Sequence, residues 1–91
     1  MNNGLHRHLR WLMFGQQDGR CFYCDELMLL SFAQRDNIWS RTATLEHLVR
    51  RADGGSSTRG NLVCACRECN QKRGDIPWEE YRALRRDRRM T

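Results

Sequence analysis

The 91-residue sequence has no long hydrophobic run, and this absence excludes one class of protein. A helix that crosses a bilayer needs about 20 consecutive apolar residues, and no stretch of the chain approaches that length. The opening MNNGLHRHLRW also lacks the uninterrupted apolar segment of a secretory signal. No internal repeat or low-complexity linker is visible. We therefore expect one intracellular domain with no membrane partner.

Lysine is almost missing as well. Lys72 is the only lysine among 16 basic residues, and the other basic residues are arginines. With 11 acidic residues the net charge is +5. Guanidinium groups fork onto phosphate oxygens in a way that ammonium groups do not. The charge favours a nucleic-acid partner only if other features agree, because a solvated basic surface or a high-GC codon bias would look the same.

The chain also lacks an even set of cysteines. It has five, and an odd number argues against a framework made only of disulfides. Four of them form two Cys-x-x-Cys pairs, CFYC and CREC, far apart in the chain. Two such knuckles that share one zinc ion form a closed structural site. A redox role would need a βαβ context that the sequence does not show. The sequence therefore predicts one structural zinc ion, held by Cys21, Cys24, Cys66 and Cys69.

Cys64 is the cysteine outside these pairs. It lies two residues before Cys66, so on a strand the two side chains would face the same side. We predict a small buried side chain for Cys64. Competition for the zinc ion is the alternative.

Periodicity predicts a helix at each end of the chain and a hairpin between them. Residues 5–17 have leucines at helical spacing, and His6 and His8 within them read as surface residues, with a ligand role as the alternative. IWSRTATLEHL, residues 38–48, reads as a strand that ends near His47, and LVCAC reads as its partner. The polar loop VRRADGGSSTRGN joins the two strands.

Two further helices are predicted after the hairpin. One follows the second cysteine pair and ends at Gly74. The other begins near Pro77, and its acidic first turn and basic last turns suit the helix dipole. Trp78, Tyr81 and Leu84 share a face that is expected to dock this helix on the core.

Polar side chains lie at the ends of the predicted hairpin. Glu46 and His47 end the first strand and, as neighbours, point to opposite faces. Asn61 precedes the second strand, and Asn70 lies in the first turn of the following helix. If that helix packs on the hairpin, Glu46, His47 and Asn70 can surround one point. Carboxylate and amide oxygens suit Mg²⁺, and a neutral histidine can take a proton from water.

These are the parts for metal-assisted phosphodiester hydrolysis. The alternative from the residues alone is a surface Glu-His pair and an asparagine helix cap in a zinc-stapled binding module.

At these residues the sequence resembles the HNH endonucleases, in the subset that carries two zinc knuckles. The similarity runs from about Gly19 to Gly74 and is carried by TLEHLVRRADGG and GNLVCACRECNQKRGD. His47, Asn61 and Asn70 stand at the three signature positions of the family. The resemblance implies an α+β fold, a small ββα-metal (HNH, or His-Me finger) domain with N- and C-terminal helices and a structural four-cysteine zinc site.

The resemblance also implies roles for single residues. His47 would be the general base, and Asn61 would pin the loop between the strands. Asn70 would bind the catalytic ion where many members carry a third histidine, which makes this chain an HNN variant. Glu46 occupies the position of a metal-binding acid that is more often Asp. These oxygen ligands favour Mg²⁺ or Mn²⁺ as the catalytic ion.

The implied activity is metal-dependent nicking or cutting of DNA. Contacts to the phosphate backbone are expected from residues that flank the site, namely Arg50, Arg51, Lys72 and Arg73. The arginines between residues 82 and 89 would extend that surface. No separate recognition domain is visible, so either weak specificity or a helper protein is expected. A zinc-stapled, arginine-rich module that binds nucleic acid without cutting it is the alternative.

We expect the whole chain, residues 1–91, to form a single nuclease domain. Residues 1–18 would hold the N-terminal helix, residues 19–74 the zinc knuckles and ββα-metal core, and residues 75–91 the basic C-terminal helix. By resemblance, such a protein suits the cytoplasm of a bacterial or phage-infected host cell.

Overall fold

A computed structural model of the chain describes residues 3–33, 35 and 39–90. Within these residues an antiparallel pair of strands is surrounded by helices in the order α1 (Asn3–Gln16), β1 (Ala43–His47), β2 (Leu62–Cys66), α2 (Arg67–Arg73) and α3 (Trp78–Met90). The predicted α+β class and the strand–strand–helix core are confirmed. None of the helices in this part of the chain is long and apolar enough to cross a membrane.

The strand β1 is shorter than predicted. It pairs antiparallel with β2, with Ala43 opposite Cys66 and His47 opposite Leu62. Residues 39–41 form a turn instead, which the Thr42 N–H closes by donating to the Trp39 carbonyl at 3.1 Å, and Thr42 forms an isolated bridge with Leu29. The prediction was wrong for these residues because β-branched and aromatic composition does not reveal a local turn. Residue 38, where the predicted strand begins, lies outside the described residues.

The loop between the strands contains two short 3₁₀ helices, Arg51–Asp53 and Arg59–Asn61. Gly55 lies so close to the backbone of Val49 that a β-carbon there would overlap the Val49 carbonyl. The loop is therefore folded tightly back on the end of β1.

A side chain pairs with the outer edge of β2. The Gln17 amide accepts a hydrogen bond from the Cys64 N–H at 2.8 Å and donates one to the Cys64 carbonyl at 2.8 Å. The Phe22 N–H donates to the same carbonyl at 3.0 Å. These bonds attach the end of α1 to the sheet, while Leu9 and Met13 bury the apolar face of that helix.

The core is rich in sulfur. All five cysteines are buried, and they pack together with Tyr23, Met28 and Tyr81. Cys64 is fully buried, and its thiol donates to the Arg10 carbonyl at 3.2 Å. Burial raises the pKa of the Cys64 thiol to about 12. The prediction that Cys64 is a small buried residue is confirmed.

Helix α3 docks on the first knuckle through fewer apolar residues than predicted. Tyr81 is buried and Trp78 packs on the core, but Leu84 is 50% exposed, so the prediction for Leu84 was wrong. The Arg86 guanidinium donates to the Tyr23 carbonyl at 2.7 Å and to the Phe22 carbonyl at 3.0 Å.

Arg82 lies beside Arg86 and binds the same knuckle. Its Nε donates to the Phe22 carbonyl at 3.1 Å, and its guanidinium lies 4.4 Å from the centre of the Phe22 ring. The guanidinium groups of Arg82 and Arg86 therefore donate hydrogen bonds to carbonyls of the knuckle. Both arginines were expected to extend a DNA-binding surface. The side chains of residues 88 and 89 lie outside the described residues.

Candidate metal centre and active site

The two Cys-x-x-Cys pairs come together in the core. The sulfur atoms of Cys21, Cys24, Cys66 and Cys69 all lie within 4.8 Å of one another, and all four residues are buried. Zinc–thiolate bonds of about 2.3 Å in a tetrahedron place the sulfurs about 3.8 Å apart. The cluster therefore has the donors and the size to hold a metal ion.

Backbone amides point at the sulfurs of this cluster. The N–H groups of Tyr23 and Cys66 each donate to Cys21 Sγ at 3.3 Å. The N–H of Cys69 donates to Cys66 Sγ at 3.5 Å, so Cys66 caps the first turn of α2. The knuckle thereby fixes where α2 begins, and Asn70 follows Cys69 directly.

Charge around the sulfurs is partly compensated by protein groups. Arg41 Nη1 lies 3.2 Å from Cys66 Sγ and 3.5 Å from Cys24 Sγ. The sequence does not predict this role of Arg41, because no motif marks an arginine that contacts a distant knuckle.

Glu46 lies on the face of β1 that packs on α2, and it is only 8% exposed. Its Oε2 accepts a hydrogen bond from the Tyr23 hydroxyl at 3.2 Å and pairs with Arg73 Nη1 at 3.3 Å. Burial raises the pKa of Glu46, and the charge of Arg73 opposes that shift. The His47 N–H also hydrogen-bonds to this carboxylate and lowers its pKa.

Arg73 is buried, with 4% of its surface exposed. It donates to the carbonyls of His47 at 2.7 Å, Leu48 at 2.6 Å and Ile76 at 2.8 Å. This position disagrees with the predicted phosphate contact, because the guanidinium is fully engaged inside the protein. Arg73 instead fixes the end of β1, where His47 lies.

Asn61 holds the same strand end from the loop side. Its Oδ1 accepts from the Val49 N–H at 2.8 Å, and its Nδ2 donates to the carbonyls of Val49 at 3.0 Å and Ser56 at 2.7 Å. The Leu48 N–H donates to the Asn61 carbonyl at 2.9 Å. These contacts are of the kind that a loop-pinning residue would make.

His47 lies on the opposite face of β1 from Glu46. Its Nε2 is 3.2 Å from Ser57 Oγ. Burial lowers the pKa of His47, and the positive charges of Arg51 and His6 lower it further. The imidazole is therefore held in its neutral form, which can accept a proton. No contact joins its side chain to that of Glu46 or Asn70 in the described residues.

The amide of Asn70 is oriented by Thr44. Asn70 Nδ2 donates to Thr44 Oγ1 at 2.9 Å, and that hydroxyl donates in turn to the Ala65 carbonyl at 2.7 Å. Asn70 Oδ1 has no partner among the described residues. Thr44 and Glu46 share a face of β1, so this oxygen and Glu46 Oε1 lie on the same side of the strand. Both are hard donors of the kind that Mg²⁺ binds.

The other cations that were expected to bind phosphate are differently placed. Arg50 Nε pairs with Asp53 at 3.0 Å, and Lys72 Nζ pairs with Glu68 at 3.0 Å. Arg51 is exposed and has no pairing partner in the parts of the chain that the structure describes. It is the predicted phosphate contact whose charge is most available.

A cavity of about 320 Å³ lies beside β1, between α1 and α2. It is lined by His6, Arg10, Thr44, Leu45 and Arg67. His6 was predicted to be a surface residue, and nothing in the sequence predicted that it lines a cavity. The spacing of His6 and Arg10, one helical turn apart, was the available signal. His8 is exposed and stacks on Trp11, as expected of a surface residue.

Comparison with known proteins identifies the family. The HNH endonuclease family model matches residues 21–75, which span both knuckles, the hairpin and α2. The CRISPR-associated endonuclease Cas9 of Corynebacterium diphtheriae is 34% identical over 70 residues. That similarity covers 76% of this chain but only 6% of the Cas9 relative. The chain therefore belongs to the HNH endonuclease family.

Proposed function

We propose that this chain hydrolyses phosphodiester bonds of DNA, by a nick or a double-strand cut, with His47 as general base. The observation that carries the proposal is the position of His47 at a strand end that Asn61 holds from the loop and Arg73 holds from α2. A base must keep its ring nitrogen in place to contribute to the rate. Membership of the HNH family supports hydrolysis, and the matched relative is itself named an endonuclease.

His47 would take a proton from the attacking water. The lowered pKa of His47 leaves the imidazole neutral, so a lone pair is available for that proton. The Ser57 hydroxyl can hydrogen-bond to Nε2 and so orient the ring. The water would approach from the face of β1 opposite Glu46.

Glu46 and Asn70 would hold a divalent ion, Mg²⁺ or Mn²⁺. The support is that the Glu46 carboxylate and the Asn70 amide oxygen lie on one side of β1. The bound ion would supply charge that stabilises the leaving oxygen. Arg73 pairs with Glu46 Oε2, and its positive charge opposes the rise that burial causes in the pKa of this carboxylate. Because Asn70 Nδ2 donates to the Thr44 hydroxyl, Asn70 Oδ1 points away from that hydroxyl.

Cys21, Cys24, Cys66 and Cys69 would hold one structural zinc ion. Four thiolates close the tetrahedron, so this site has no open position for chemistry. Its role would be to keep the first knuckle and the start of α2 in register. We further propose that residues 1–91 form one nuclease domain in the cytoplasm, and that it acts with weak specificity or with a helper protein.

A plasmid-cleavage assay with a series of divalent ions tests this function. We expect wild-type protein to cut with Mg²⁺ or Mn²⁺ and His47→Ala to be slower by at least about 100-fold, the usual share of a general base. His8→Ala is the matched control, because His8 is an exposed histidine away from the site, and it should cut at the wild-type rate. The metal content of both variants should be unchanged. Cleavage by His47→Ala at the wild-type rate would overturn the assignment of the base.

A different outcome would favour the binding module. If wild-type protein leaves the plasmid intact with every ion yet binds DNA in a salt-sensitive way, catalysis is rejected and non-catalytic binding is supported.

A further inference from the structure

The outer edge of β1 is open at Leu45, between Ala43, whose N–H donates to the Leu29 carbonyl at 2.8 Å, and His47, whose carbonyl accepts from Arg73 at 2.7 Å. Cys64 turns its backbone groups outward to Gln17, away from β1. Its antiparallel partner Leu45 must therefore turn its own N–H and C=O to the opposite edge. In the described residues these groups of Leu45 have no hydrogen-bond partner. Leu45 also lines the cavity between α1 and α2, so its N–H and its C=O both lie at the edge of that cavity.

Among the residues that the structure describes, the side chains that line the cavity include three basic residues and no carboxylate. Arg10 lies with its guanidinium 4.7 Å from the centre of the Phe32 ring and 3.5 Å from the Ala43 carbonyl. Burial lowers the pKa of Arg10, so its charge is only partly solvated. Arg67 enters from the start of α2, and its guanidinium has no partner in the part of the chain that the structure describes. His6 completes the wall.

The cavity touches residues from both faces of β1. Thr44, which orients Asn70, and Leu45, which lies on the face of His47, both line the cavity. Leu45 is two residues from His47, or about 7 Å along the strand. An anion in the cavity would therefore be a near neighbour of the reacting groups.

We propose that this groove, formed by His6, Arg10, Arg67 and the Leu45 N–H, binds a backbone phosphate of the DNA strand next to the phosphate that is cut. This inference rests on the proposed function and adds residues to it. His6 and Arg10 belong to α1, outside the residues 21–75 that the family model matches. In this chain α1 is thus a substrate-positioning element as well as a support for the sheet.

The test measures binding without cleavage. The background is His47→Ala, the probe is a short DNA duplex, and the affinity is measured over a series of salt concentrations. We expect Arg67→Gln to weaken binding and to reduce the slope of log affinity against log salt by about one unit, because one phosphate contact is lost. Arg10→Gln should do the same, provided that its melting temperature matches the background. Arg20→Gln removes an exposed arginine outside the groove and should leave the slope unchanged.

In the active protein, Arg67→Gln should raise KM for plasmid more than it lowers kcat, because the contact exists before the transition state. If Arg67→Gln and Arg10→Gln bind with the slope of Arg20→Gln, the groove is rejected even though wild-type protein cuts. If Arg67→Gln and Arg10→Gln reduce the salt slope while wild-type protein does not cut, phosphate binding in the groove is supported and the proposed catalysis is rejected.

Discussion

Arg73 is a residue whose burial the sequence does not predict. Its position after Lys72 in a basic stretch suggested a phosphate contact for both, and only the fold separates them. Arg73 pairs with a nearly buried Glu46 and binds three carbonyls, whereas Lys72 is 60% exposed. Which of two adjacent cations turns inward depends on the helix phase relative to β1. Composition does not contain that information.

The first prediction compares these neighbours. Arg73→Met should reduce the free energy of unfolding by about 3–5 kcal/mol, because it leaves the buried Glu46 carboxylate without its partner. Lys72→Met removes an exposed pair with Glu68 and should cost less than about 1 kcal/mol. Urea denaturation with zinc present measures both. Equal losses for the two variants would show that the Glu46–Arg73 pair does not carry this part of the stability.

Among the secondary elements, the loop between β1 and β2 determines where His47 sits. Asn61 was predicted from the resemblance to pin this loop, and the structure gives it three side-chain hydrogen bonds to the loop backbone. The catalytic importance of Asn61 stays a prediction. The sequence could indicate the strands and α2, because the cysteine pairs and the glycines delimit them. It could not indicate the start of β1 or the exposure of Leu84, which depend on how each element packs on its neighbours.

The second prediction concerns Gly55 in this loop. A methyl group at Gly55 would overlap the Val49 carbonyl, so Gly55→Ala must push the loop away from the strand end that carries His47. We expect a loss of about 1–3 kcal/mol from this overpacking and a larger proportional loss of cleavage. Gly60→Ala is the control, because a β-carbon there meets nothing within 4 Å. Wild-type cleavage by Gly55→Ala would contradict the link between the loop fold and His47.

The whole molecule is small, and a chain of this size buries a limited fraction of its surface. Its core is built largely from the cysteines that could hold a metal ion, with few large aliphatic side chains. The sequence predicted this dependence from the count and spacing of the cysteines. It could not supply the packing of Tyr23 and Tyr81, whose rings meet edge to face with centroids 5.0 Å apart beside the cluster.

The third prediction distinguishes a cysteine that would bind zinc, Cys66, from a buried cysteine outside the cluster, Cys64. Removal of metal by a chelator should unfold the chain, seen as loss of its helical circular dichroism, and one equivalent of zinc should restore it. Cys66→Ser should fail to retain zinc, because it removes one of the four thiolates. Cys64→Ala is matched to it, since Cys64 is equally buried but lies outside the cluster. This control should hold one zinc ion per chain. An apoprotein that melts at the temperature of the zinc form would rule out a structural metal.

The pairing of Gln17 with Cys64 has a consequence for aggregation. A two-stranded sheet has two free edges, and each could add a strand from another chain. The Gln17 amide satisfies the N–H and C=O of Cys64 on the β2 side, much as a neighbouring strand would. On the β1 side, the charges of Arg10 and Arg67 disfavour a second polypeptide but not an anion. The amide therefore closes the β2 edge at Cys64, and in our proposal the β1 edge at Leu45 would take a phosphate in place of a strand.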